Sequence, residues 1–85
     1  MIKVSALVPT YNRRQYVARA IDSILAQDVG VDEVIVIDDG STDGTAAKVE
    51  KEYGQHVRIV RQSNTGVSGA RLRGIREARG EWIAF

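Results

Sequence analysis

The sequence contains no cysteine, one histidine and one proline among its 85 residues. The absence of cysteine excludes disulfides and thiolate metal centres, and a single histidine, His56, excludes a site built from several imidazoles. No apolar run approaches the roughly 18 residues that a membrane-spanning helix needs. The N-terminus lacks the apolar core and the cleavage site of a secretory signal peptide. These absences favour a cytoplasmic location by default, and a longer protein could lie at the cytoplasmic face of a membrane.

The net charge of +1 gives no overall reason to expect nucleic-acid binding. The charges are unevenly distributed, however. Residues 1–57 hold six Lys or Arg against nine Asp or Glu, whereas residues 58–85 hold six Arg against two Glu. Most of these arginines are expected to lie on a solvated helix face, so a functional role is reserved for one or two of them.

Short apolar runs predict four β-strands, at residues 4–8, 34–37, 57–60 and 81–85. Between the strands, apolar residues recur at helical spacing, which predicts three helices. Strands that alternate with helices in this way imply right-handed crossovers and a parallel sheet. The sequence therefore predicts a single α/β unit.

Two finer expectations concern the helices. Asn12 is expected to cap the first helix, whose apolar stripe includes Tyr16. The third helix is expected to run from about Val67 to Arg79. Its inward-facing residues are expected to be Val67, Ala70, Gly74, Ile75 and Ala78.

Three motifs occur in order along the whole chain. The first is Val-Pro-Thr-Tyr-Asn-Arg at residues 8–13, and the second is Glu-Val-Ile-Val-Ile-Asp-Asp-Gly-Ser-Thr-Asp-Gly-Thr at residues 33–45. The third comprises residues 64–66, 70–71 and 78–85. Together, and at this spacing, they resemble the motifs of inverting family 2 glycosyltransferases of the GT-A fold.

The resemblance implies that residues 1–85 form the N-terminal, nucleotide-sugar-binding part of such an enzyme. The fold would be a Rossmann-like parallel sheet with strand order 3-2-1-4 and flanking helices. Ligands lie beyond the carboxyl ends of strands where the strand order reverses, which here is between strands 1 and 4. In the family, an Asp-x-Asp motif after the fourth strand holds Mg²⁺ or Mn²⁺. That motif and the catalytic base are expected beyond Phe85, so no catalytic or metal-binding residue is predicted within this chain.

Residues that follow the strands have the chemistry that a nucleotide needs. Tyr11 offers a face on which a base can stack. The Asp39 carboxylate can accept the N3–H of uracil, and the resemblance implies that role. The resemblance also implies that Arg71 lies at the nucleotide, where a guanidinium favours an anionic ligand. An aspartate at position 38 more often braces its loop than touches a ligand. The predicted nucleotide-binding set is Pro9, Thr10, Tyr11, Asp38, Asp39 and Arg71.

The resemblance thus predicts a parent enzyme that transfers a sugar from a nucleotide-sugar, preferably a UDP-sugar, to a saccharide or lipid-linked acceptor hydroxyl with inversion. The 85-residue piece alone is expected to bind nucleotide without turnover. A non-catalytic nucleotide-binding or protein-interaction module remains an alternative, because an exposed fourth strand invites pairing and a homodimer through its edge. A receiver-like phospho-acceptor domain is disfavoured, because such domains place their acid pair after strand 1.

Overall fold

The computed structural model describes residues 4–26, 31–80 and 82–84. Strands and helices alternate in the order β1 (Val4–Thr10), α1 (Arg14–Leu25), β2 (Glu33–Asp38), α2 (Thr45–Tyr53), β3 (Arg58–Arg61), α3 (Gly66–Glu77) and β4 (Trp82–Ala84). All strand pairs are parallel, and their order is β3-β2-β1-β4. The predicted architecture and strand order are therefore confirmed. Glu81 and Phe85, which the sequence assigns to the fourth strand, lie outside the described residues.

The core lies on both faces of β2, in which every residue is buried. Successive side chains of a strand point to opposite faces. Val34 and Val36 accordingly pack against α1 and α2, in a cluster that includes Val17 of α1. Ile35 and Ile37 lie on the other face, in the cluster that holds Ala70 of α3. None of the helices in the described part of the chain is long and apolar enough to cross a membrane.

Small residues bring α3 close to the sheet. Ala70 is 1% exposed, and a Cβ added at Gly74 would come within 2.9 Å of side chains from β1 and β2. The prediction that Val67 and Ile75 also face inward is wrong, because they are 59% and 45% exposed. The closest approach is made by the side of the helix that carries the smallest side chains, and this turns the larger apolar residues outward.

The first strand is two residues longer than predicted, so Pro9 and Thr10 belong to β1 rather than to the loop after it. The Thr10 carbonyl accepts the Asp39 N–H at 2.9 Å, so the ring nitrogen of Pro9 faces away from β2. On that side β4 pairs only with residues 4–6 of β1. A proline is tolerated at an open strand edge because no ladder bond is lost there. Within the described residues, β1 has no neighbour on that side after Ala6.

A buried carboxylate fixes the amino end of the sheet. The Oε2 atom of Glu33 accepts the Ser5 hydroxyl at 2.7 Å and the Arg79 N–H at 3.0 Å, and its Oε1 accepts Nη1 of Arg58 at 3.1 Å. Ser5 Oγ in turn accepts the Gly80 N–H at 2.9 Å. Burial raises the pKa of Glu33, but the surrounding donors outweigh burial, so the pKa is lowered. Glu33 thereby ties the segment before β4 to β1 and β3.

Candidate functional site

A cleft of about 690 Å³ opens at the carboxyl end of β1, along the edge that β4 leaves uncovered. Helix α1 contributes one wall, and α3 with the loop before it contributes the other. The lining residues are Val8, Pro9, Thr10, Tyr11, Arg13, Tyr16, Val17, Ala20, Asp39, Asn64, Gly66, Val67 and Ala70. The cleft lies where a parallel sheet of this strand order is expected to bind a ligand.

The structure brings four of the six predicted nucleotide-binding residues together in this cleft. They are Pro9, Thr10, Tyr11 and Asp39. They arrive from two neighbouring strands, because the carboxyl ends of β1 and β2 meet at the same edge of the sheet. Residues that are almost 30 positions apart in the sequence therefore share one cleft.

The other two predicted residues do not line this cleft. Asp38 is buried and lines a second cavity of about 600 Å³. There its Oδ1 accepts the Ser41 N–H at 3.0 Å, which is the loop-bracing geometry that is common for aspartate at this position. Arg71 is exposed on α3. Its predicted contact with a nucleotide stays a prediction.

Two tyrosines and an arginine surround the cleft mouth. Tyr11 is 47% exposed and Tyr16 is 64% exposed. The Arg13 guanidinium lies 5.9 Å from the centroid of the Tyr16 ring, within range of a cation–π contact. Sequence reasoning assigned Tyr16 to the apolar stripe of α1, because helical spacing alone does not separate the edge of a stripe from its centre. The Tyr11 ring is accessible enough for a planar ligand to stack on it.

Asp39 is almost fully buried and heavily hydrogen-bonded. Its Oδ1 accepts Nε2 of Gln62 at 2.9 Å, the Thr65 N–H at 2.9 Å and the Thr65 hydroxyl at 3.0 Å. Its Oδ2 accepts the Gly66 N–H at 2.9 Å. Burial raises the pKa of Asp39, but these donors outweigh burial and lower the pKa. Asp39 is therefore a fixed carboxylate that also caps the start of α3.

The side-chain hydroxyl of Thr10 is buried without a hydrogen-bond partner in the part of the chain that the structure describes. The residue is 7% exposed, and among the described residues its Oγ1 has no hydrogen-bond partner. A buried hydroxyl left in this state costs about 1–3 kcal/mol. Thr10 lines the cleft with its other atoms, because Oγ1 itself is closed to solvent.

Asn12 links the two loops beside the cleft. The prediction that it caps α1 is wrong, because the cap position is Arg13. Asn12 has a left-handed backbone with φ of 51°. Its N–H donates to Ser41 Oγ at 2.8 Å, and its Oδ1 accepts the Thr42 N–H at 2.7 Å. The Tyr11 loop is thus joined to the loop after β2. Asparagine's tolerance of positive φ is the one sequence signal that hinted at this geometry.

The cleft does not form a metal site from these residues. The described ranges 4–26, 31–80 and 82–84 contain no group of three or more His, Cys, Asp or Glu that could hold a cation. The two acids after β2 are already engaged, Asp38 with the Ser41 amide and Asp39 with its four donors. Among the residues that the structure describes, the cleft therefore offers no set of side chains that would hold a divalent cation by itself.

Comparison with known proteins gives the cleft its context. The sequence matches Glycosyl transferase family 2 over residues 5–85. The uncharacterized glycosyltransferase YibD of Escherichia coli is 40% identical over 85 residues, which cover 98% of this chain and 25% of that protein. The succinoglycan biosynthesis protein ExoO of Rhizobium meliloti is 44% identical over 82 residues, which cover 95% of this chain and 24% of that protein.

Two solved structures have the same arrangement of strands and helices. TarS of S. aureus, residues 1–349, superposes with a TM-score of 0.84 at 33% identity, over 96% of this chain and 26% of that one. The mannosyltransferase PcManGT from Pyrobaculum calidifontis, in complex with GDP-Man and Mn²⁺, gives 0.83 at 32% identity, over the same shares. The chain thus spans about a quarter of the length of these relatives.

Proposed function

Because the chain belongs to glycosyl transferase family 2, we propose that it is the nucleotide-binding part of an enzyme that transfers a sugar from a nucleotide-sugar to an acceptor. The observation that carries the proposal is the convergence of two side chains on one cleft. Tyr11 presents an accessible aromatic face, and Asp39 presents a fixed carboxylate. This combination suits a planar base with a hydrogen-bonding edge.

We further propose that the base is uracil. With four donors from Gln62, Thr65 and Gly66 already bound, Asp39 retains accepting capacity on Oδ2 alone. Uracil presents a single N3–H, which matches that capacity, whereas cytosine has no hydrogen at N3. The mannosyltransferase from P. calidifontis is in complex with GDP-Man, so family membership alone does not favour uracil. The proposal rests on the carboxylate of this chain.

The remaining machinery is proposed to lie in residues beyond Phe85. Ala84 pairs with Ala6, so a strand that continued in the same register would run beside residues 7–10 of β1 and along the cleft. Residues there would complete the site for the nucleotide-sugar and hold Mg²⁺ or Mn²⁺. They would also supply the catalytic base that deprotonates a saccharide or lipid-linked acceptor during an inverting transfer. In this proposal, residues 1–85 bind and orient the nucleotide.

Binding of UDP to the full-length gene product, measured by isothermal titration calorimetry, tests the proposal. Tyr11→Ala is expected to weaken binding by about five-fold to a hundred-fold, because stacking on an aromatic ring contributes about 1–3 kcal/mol. Tyr11→Phe retains the ring and is the matched control. Absence of UDP binding at millimolar concentration, or equal affinities for the wild type and Tyr11→Ala, would contradict the proposal.

A homodimer through the outer edge of β4 is a separate proposal, supported by the position of β4 at the end of the sheet. Light scattering over a range of concentrations tests it. A monomer at the highest concentration would contradict it and would leave the nucleotide-binding proposal intact.

A further inference from the structure

We infer that Gln62 and Thr65 are specificity-determining residues, which restrict Asp39 to a base that offers one hydrogen-bond donor. The inference rests on the proposed function, because it requires that Asp39 faces the base. It goes beyond that function by assigning the choice of base to two side chains that do not line the cleft themselves.

The argument starts from how the two oxygens of Asp39 are used. Gln62 Nε2, the Thr65 amide and the Thr65 hydroxyl all lie within 3.0 Å of Oδ1. A carboxylate oxygen has about two lone pairs, so Oδ1 has no acceptor capacity left. Oδ2 receives the Gly66 amide at 2.9 Å and retains one lone pair.

The side chains of Gln62 and Thr65 act as one unit. The Gln62 amide nitrogen donates both to Asp39 Oδ1 and to Thr65 Oγ1, the latter at 3.0 Å. With its oxygen already accepting from Gln62, the Thr65 hydroxyl directs its own hydrogen to Oδ1. By accepting the Thr65 and Gly66 amides, Asp39 already caps the start of α3. The two side-chain donors are therefore additional to the cap, and they close Oδ1 to a ligand.

This arrangement distinguishes bases by the number of adjacent donors. The N3–H of uracil needs one acceptor, which Oδ2 supplies. Guanine presents N1–H and the 2-amino group side by side and needs both oxygens of a carboxylate. With Oδ1 occupied, the 2-amino group would be desolvated without an acceptor, and such an unpaired donor is strongly unfavourable. Gln62 and Thr65 thereby select against guanine.

The test compares UDP, GDP and IDP as ligands of the full-length gene product. IDP has the purine ring and the N1–H of GDP but lacks the 2-amino group, so the GDP-to-IDP affinity ratio isolates the second donor. In the double variant Gln62→Met/Thr65→Val, this ratio is expected to rise by about five-fold to a hundred-fold, the range of a well-formed bidentate pair. Restoring the hydroxyl, in Gln62→Met/Thr65→Ser, is expected to reverse part of the rise.

The controls separate this inference from its premise. If the wild type binds none of the three nucleotides, the proposed function fails and the inference with it. If the wild type binds UDP but the double variant keeps the wild-type GDP-to-IDP ratio, the inference alone is overturned. A wild type that binds GDP more tightly than IDP also overturns it. Thermal unfolding confirms that each variant is folded. Should the double variant not fold, Thr65→Val alone must show part of the rise, and an unchanged ratio there counts against the inference.

Discussion

Replacing Glu33 with glutamine tests the account of the amino end of the sheet, because the side chain keeps its size and loses its charge. A carboxamide has one acceptor oxygen where Glu33 uses two. If the amide nitrogen takes the position of Oε2, it meets the Arg79 N–H, and if it takes the position of Oε1, it meets the Arg58 guanidinium. Either orientation places a donor against a donor.

The magnitude follows from the burial of each partner. A buried donor that loses its acceptor costs about 1–3 kcal/mol. The Arg58 side chain is 34% exposed, so water screens its ion pair with Glu33 and the pair adds about 0–1 kcal/mol. We therefore expect Glu33→Gln to lower the free energy of unfolding by about 2 kcal/mol at pH 7.

Urea denaturation at several pH values is the assay. The pKa of Glu33 is lowered on folding from its ordinary value of 4.5, so the carboxylate stabilises the fold above that pH and the contribution is lost as the pH falls through the folded-state pKa. The difference between the wild type and Glu33→Gln should be full at pH 7 and shrink below about pH 4.5. Glu50→Gln, which breaks an exposed 3.7 Å pair with Arg61, is the control and should cost almost nothing. A Glu33→Gln difference below about 0.5 kcal/mol at pH 7, or one that persists unchanged into acid, would refute the reasoning.

Two further predictions concern the loops. Gly40→Ala should destabilise the protein by about 2 kcal/mol in urea denaturation, because φ is +84° and the new Cβ would lie 2.9 Å from the Asn64 nitrogen. Gly44→Ala is the control: φ is +82° but the space around it is open, so this substitution should cost less. Equal losses of stability in the two variants would contradict the prediction. Asn12→Gly keeps the left-handed backbone but removes the acceptor for the Thr42 amide, so hydrogen exchange at the Thr42 amide should accelerate by about five- to ten-fold. Asn12→Asp keeps an acceptor and is the control. Unchanged exchange at Thr42 in Asn12→Gly would count against the hydrogen bond between the two loops.

The alternation of strands and helices could be predicted because each strand is a short apolar run that the sequence separates clearly. The run from Val34 to Ile37 is all β-branched, and the structure buries it on both faces. The inward face of α3 could not be predicted by hydrophobicity, because the residues that approach the sheet most closely are Ala70 and Gly74 rather than Val67. The distance at which α3 can pack on the sheet decides which of its sides faces inward, and this distance depends on the side chains that the sheet presents.

The candidate site was predictable only where function resides in a local motif. Tyr11 and Asp39 lie in two such motifs, and the structure places both at the cleft. The hydrogen-bond partners of Asp39 are more than 20 positions away along the chain, and Asn12 accepts a hydrogen bond from Thr42, 30 positions away. Contacts of this range depend on how the loops fold over the sheet, and no sequence pattern marks them.

The single proline of the sequence also bears on how this sheet meets other proteins. Among the described residues, Pro9 lies on the stretch of β1 that follows its pairing with β4, and its ring nitrogen points to the side on which β4 lies. An incoming strand from another molecule would find no N–H there to bond, and such gaps discourage edge-to-edge aggregation. A small ligand that stacks on a ring and bonds a carboxylate needs no backbone donor from that edge. Any strand that pairs with β1 on this side, a continuation of β4 included, therefore lacks one ladder bond at Pro9, whereas a nucleotide in the cleft loses nothing there.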